Sequence, residues 1–150
     1  WSLHPQLSYF DHPAMVSWLI SLGTFFLSFM HNSFTSSLVL RSFFILISSL
    51  TLLVWNKILE KKEFSHSQKI VFFTLFLLNP LLGPGSIIAT PDVPLVLFWS
   101  LSYLCFLNAT ESNSLTWFAL LGASLGLGFC SKYHIVIFVL SGLVYLLFSK

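Results

Sequence analysis

FTSSLVLRSFFILISSLTLLVW, residues 34–55, runs directly into NKILEKKEFSHSQK, residues 56–69. The first stretch carries one charge, Arg41, and is as long as the roughly 20 apolar residues a membrane helix needs. The second carries Lys57, Lys61, Lys62 and Lys69, four of the seven cations in the chain. Positive charge is retained on the cytoplasmic side of a membrane. The pair of segments therefore predicts a span followed by an inside loop, and this sets the reading of everything around it.

Composition agrees. Of 150 residues, 56% are hydrophobic and 8% charged, against about 25% charged in soluble domains. Seventeen Phe and a mean hydropathy of +0.87 describe a chain whose solvent is lipid. A disordered chain, a disulfide scaffold and a nucleic-acid binder are excluded on these figures. Cys105 and Cys130 both lie in apolar runs and match no disulfide or zinc spacing. The chain opens at Trp1 without a basic-then-apolar leader, which suggests an excerpt of a longer protein.

Outward from the deciding stretch, the pattern predicts an external opening over 1–13, an apolar helix over 14–30, and spans at about 34–55, 69–82, 93–109, 115–131 and 133–149. The fold class expected is all-α, a polytopic transmembrane helical bundle with an interfacial amphipathic helix, in a single domain. Counting outward from the lysine loop puts Gly83–Asp92 and Ser131–His134 outside, and Asn108–Ser114 inside. Ser17, Ser21, Thr24 and Ser28 line one face of the 14–30 helix, which fits a helix lying in the interface. Such stripes also pack spanning helices together. The flat placement is preferred because only His31, Asn32 and Ser33 would join two spans.

Charge in hydrocarbon is costly, so the few ionisable groups outside the lysine loop are functional candidates. Asp11, in Tyr9-Phe10-Asp11-His12-Pro13, is poorly explained as a cap, because Pro13 suits the first helical position and makes His12 the cap. Asp92, two residues before Pro94, reads by itself as an ordinary N-cap. Arg41 either snorkels to the interface or faces the bundle interior, ready for a phosphate or carboxylate. Lys132, after Gly126-Leu127-Gly128-Phe129-Cys130-Ser131, could neutralise the carbonyl end of a helix, with Gly122, Gly126 and Gly128 allowing close packing. The run lacks P-loop spacing, and no Gly-x-Ser-x-Gly elbow occurs. His4, His12, His31 and His134 fit no zinc pattern. The sequon at Asn108 falls on the predicted inside. With the 14–30 helix flat, Asp11, Asp92 and Lys132 share the outer surface with Arg41 just below. That arrangement suits a lipid headgroup better than a midplane transport site.

These motifs resemble the integral-membrane glycosyltransferases of the C-type superfold (GT-C), glycosyltransferase family 39, with bacterial aminoarabinose transferases and protein O-mannosyltransferases as relatives. The aromatic-aromatic-Asp-His-Pro-Pro motif is matched over Tyr9–Pro13, with Ala14 in place of the second proline. Ala-Thr-Pro-Asp-x-Pro-Leu is matched over Ala89–Leu95, and Gly-Leu-Gly-x-x-Ser-Lys-Tyr over Gly126–Tyr133. The resemblance implies transfer of a sugar from a polyprenyl-phosphate donor to a lipid, protein or glycan acceptor on the outer face of the cell membrane. It assigns Asp11 as catalytic base and Asp92 as a second catalytic aspartate shaping the site. Arg41 and Lys132 would neutralise the donor phosphate, with Tyr9, His12 and Tyr133 also binding substrate. It leaves a divalent metal ion open as the one cofactor, although the carboxylate that precedes Arg41 in relatives is absent from Met30-His31-Asn32-Ser33. The competing reading is a multi-spanning transporter, flippase or scaffold subunit without catalysis.

Overall fold

The computed structural model describes residues 13–27 and 33–148, with side chains described for 13–25 and 41–148. Six α-helices follow one another: α1 (Met15–Leu27), α2 (Ser33–Lys61), α3 (His66–Leu78), α4 (Asp92–Ser112), α5 (Leu115–Ser131) and α6 (Val136–Phe148). Short 3-10 turns, Pro84–Ile87 and Tyr133–Ile135, precede α4 and α6. No strand forms among the described residues. Arg41–Lys61 and Asp92–Ser112 are long and apolar enough to cross a membrane, and the remaining helices are shorter and apolar. Leu53, Leu78 and Phe148 are among many large apolar side chains facing outward, at 61%, 72% and 83% exposure. An apolar exterior of this extent fits lipid as solvent. The fold is an all-α helical membrane bundle.

Several boundaries differ from those read in the sequence. α1 begins at Met15, and the carbonyl of Ala14 accepts its first helical bond, from Trp18 N–H at 3.0 Å. Ala14 is therefore the cap, not His12. α2 runs to Lys61 rather than stopping at Trp55, because Ile58 and Leu59 are buried and Asn56 donates to Glu60 one turn on. It closes in a Schellman arrangement, with Phe64 N–H bonded to the Leu59 carbonyl and Glu63 N–H to that of Glu60. Glu63 takes the left-handed position, φ 58°, that glycine usually fills. α3 starts early, at His66, under a Ser65/Gln68 capping box. It ends at Leu78 rather than 82, because Pro80 excludes Asn79 from helical geometry. The chain then folds back so tightly that a Cβ on Gly83 would lie 1.9 Å from the Leu77 carbonyl oxygen. α5 occupies Leu115–Ser131, as its apolar run suggests.

Two contacts set the frame. α4 and α5 form an antiparallel hairpin turned at Asn113, φ 48°, and tied by a buried Ser102–Ser124 hydroxyl bond of 2.9 Å. Lys61 is ion-paired with Glu111, which brings the C-terminal ends of α2 and α4 together. α4, 21 residues long, spans about 30 Å. The lysine-rich end of the bundle is thus a bilayer's hydrocarbon thickness from the end where α4 begins and α5 finishes.

The hydroxyl stripe of α1 is satisfied internally. Ser17 donates to Ala14, Ser21 to Ser17 and Thr24 to Ser21, each through a backbone carbonyl. Ser17 is buried and Thr24 exposed, so the stripe enters the packed bundle only at its first turn. Ser28 lies outside the described residues.

Candidate active site

Asp92 is the first residue of α4, and Pro91 holds the cap position with no side-chain hydrogen bond. The reading of Asp92 as an N-cap is thereby corrected. Its carboxylate is instead aimed across the hairpin, where Oδ1 accepts from Lys132 Nζ at 2.6 Å. Both side chains are about two-thirds or more buried, at 32% exposure for Lys132 and 27% for Asp92. Each charge also sits at the helix end that suits it, a carboxylate at an N-terminus and an ammonium at a C-terminus.

Lys132 is placed by how α5 stops. Its backbone is extended, φ −161° and ψ 135°, while its N–H still bonds the Gly128 carbonyl at 2.9 Å. Ser131, fully buried, donates to the Leu127 carbonyl. Gly128 lets the helices approach. A Cβ there would meet Ile135 at 3.0 Å and Phe98 at 3.3 Å, so a hydrogen is what fits. Gly122 and Gly126 have nothing within 4 Å of such a Cβ. The packing explanation expected for all three glycines holds for Gly128 alone.

Asp92 also borders a small cleft of ≈ 10 Å³, room for about one water, shared with Ser48, Thr51 and Ser86. Sequence reading did not single out these hydroxyls, and nothing in their spacing marks them. The cleft shares Phe76, Leu82 and Val96 with an apolar groove of ≈ 370 Å³ lined by Trp55, Phe72 and Trp99. An anionic group near Lys132 and an apolar chain along these rings could therefore belong to one molecule.

Arg41 is exposed and lies on α2 two turns before Ser48, about 10 Å farther from the lysine-rich end. It shares the Asp92 end of the bundle and makes no ion pair among the described residues. Tyr133 is 50% exposed, its ring 5.0 Å from that of Phe129. Tyr9, Asp11 and His12 lie outside the described residues, as do His4 and His31. Among the described residues no three His, Cys, Asp or Glu side chains gather as a metal site would require.

Chemically, the arrangement is an oriented cation with spare capacity. An ammonium has three N–H donors, and Asp92 takes one. The other two have no partner among the described residues and can serve an anionic oxygen at the mouth of the α4–α5 hairpin. The family model for dolichyl-phosphate-mannose-protein mannosyltransferases matches residues 11–150, which include all three motifs but for Tyr9 and Phe10. No curated protein and no solved structure matches the chain significantly.

Proposed function

The chain belongs to the dolichyl-phosphate-mannose-protein mannosyltransferase family, and from that premise we propose that it moves a sugar from a polyprenyl-phosphate donor to an acceptor hydroxyl or amine at the outer membrane face. Membership makes it a membrane glycosyltransferase of mannosyltransferase type. The donor, the acceptor and the residue roles are the reading developed here. The observation that carries it is the Lys132–Asp92 contact, an ammonium steered by a carboxylate at the end of the bundle remote from the lysine cluster.

In this reading the bond between the sugar carbon and the donor phosphate oxygen breaks as the acceptor oxygen or nitrogen bonds to that carbon. The acceptor proton passes to Asp11, and the electron pair of the broken bond remains on the phosphate. Lys132 and Arg41 offset the charge that develops there, which is where preorganised cations contribute most to rate. Asp92 holds Lys132 in place, while Tyr9, His12 and Tyr133 border the sugar and acceptor. The polyprenyl tail lies along the Trp55–Trp99 groove, whose lining has no charged side chain.

Two measurements test this. In a protein freed of Cys105 and Cys130, Ala89→Cys should react with an impermeant thiol reagent applied to intact cells, and Ser67→Cys should not. Labelling in the opposite sense would put Asp92 and Lys132 on the wrong face. Sugar transfer from a polyprenyl-phosphate donor by the intact protein should then require higher donor concentration in Lys132→Ala. Unchanged donor dependence would assign Lys132 to helix packing.

A further inference from the structure

A second groove lies between α4 and α6, toward the lysine-rich end, and the reaction above does not use it. Tyr103 and Phe106 of α4 face Phe138 and Tyr145 of α6 across ≈ 260 Å³, with Lys62 at the mouth. Phe106 meets Phe138 at 6.4 Å and Tyr145 at 5.7 Å, both edge to face. Gly142 lines the groove, and a Cβ there would make ordinary contact with the Phe106 ring at 3.9 Å, so only a larger side chain would fill the space. The groove is also graded. Phe138, beside Trp99 at 5.5 Å, marks its inner end, and Tyr145 lies about 10 Å farther along α6 toward Lys62.

Charge selects the occupant. Lys61 is paired with Glu111, and Lys69 with Glu60. Lys62 makes no ion pair among the described residues, and neither does its neighbour Glu63. An unpaired ammonium above an aromatic, apolar groove matches a molecule with an anionic head and a hydrocarbon tail. Free phosphate would leave the groove unfilled, and a zwitterionic lipid would bring its own cation to Lys62.

We propose that the α4–α6 groove binds one acyl chain of an anionic phospholipid whose phosphate rests on Lys62. The headgroup site is separate from the proposed phosphate site, because Lys62 lies with Lys61 and Glu111 at the C-terminal end of α4 and Asp92 begins that helix.

Native mass spectrometry of the intact protein tests the assignment, with dioleoyl phosphatidylglycerol, dioleoyl phosphatidylcholine and inorganic phosphate as separate probes. The glycerol lipid should be retained over the choline lipid. Lys62→Gln should weaken its retention about fivefold, the worth of one lysine near an anionic headgroup. Lys57→Gln, on the same end but outside the groove, should change it less than about twofold. Gly142→Leu should fill the groove and remove both lipids. Lys62 is exposed, so Lys62→Gln keeps the test decisive if Gly142→Leu does not fold. Equal retention of the two lipids, no change in Lys62→Gln, or equal losses from Lys57→Gln and Lys62→Gln would each overturn the proposal. So would displacement of the lipid by inorganic phosphate, or a photocrosslinker at Tyr145 that captures polypeptide instead of lipid.

Discussion

Each end of the bundle is held by a lysine–carboxylate pair between neighbouring helices, and the two pairs differ in their surroundings. Lys61–Glu111 lies among Lys57, Glu60, Lys62, Glu63 and Lys69, with the Glu111 side chain 55% exposed. Glu111 also sits near the C-terminus of α4, the end whose dipole disfavours a carboxylate. Lys132–Asp92 has a less exposed carboxylate and helix dipoles that favour both charges, and Arg41 is the only other charged residue described near it. One pair is a replaceable member of a solvated cluster. The other commits a single cation to a single place, which is what recognition of a phosphate needs.

Asp11→Asn is expected to have the largest effect. With Asp11 as the proposed base, the substitution should lower turnover by about two to four orders of magnitude, with donor affinity nearly unchanged, because Asn keeps the shape and most hydrogen bonds of Asp. Glu111→Gln, in the lysine-rich cluster, should leave turnover within about twofold, since exposed pairs contribute little. Comparable losses from both substitutions would contradict a dispensable Lys61–Glu111 pair.

Next comes Lys132→Ala, which should weaken donor binding about 10- to 100-fold, the worth of a hydrogen bond to a charged group. Arg41→Ala should weaken it too, and Arg41→Lys should restore only part, because lysine lacks the planar fork of arginine. Donor titrations of the three variants separate a phosphate ligand from a snorkelling side chain.

Packing at the Asp92 end gives a smaller, structural contrast. Gly128→Ala presses a methyl group against Ile135 and Phe98 and should cost about 1–3 kcal/mol of stability. Gly126→Ala enters open space and should cost nothing beyond its backbone effect, which favours Ala in a helix by about 1 kcal/mol. Thermal unfolding in detergent distinguishes them. Smallest of all, Lys61→Gln should shift stability by about 0.2–1 kcal/mol and less at high salt.

How much of this was legible in the sequence follows from what hydropathy can encode. α5 was readable because its apolar run is bounded by Ser114 and Lys132. The tail of α2 was not, because Ile58 and Leu59 are buried between polar residues that resemble a loop. α3 was read too far, since an average over Ile70–Leu82 does not register that Pro80 stops a helix at the residue before it. At the candidate site, loop counting put Asp92 and Lys132 on one face. Their direct contact was out of reach, because it depends on Pro91 taking the cap position and on the extended turn at Lys132. The hydroxyls of Ser48, Thr51 and Ser86 carried no signal, the first two being ordinary residues of an apolar span and the third of a Gly/Pro-rich loop.

In the proposed reaction Asp92 acts through Lys132, and a double-mutant cycle of Asp92→Asn and Lys132→Gln, read as turnover, decides whether it does. Each single substitution should lower sugar transfer, and the double variant should be no slower than Lys132→Gln alone. Losses that multiply in the double variant would contradict it, because the two residues would then be contributing independently.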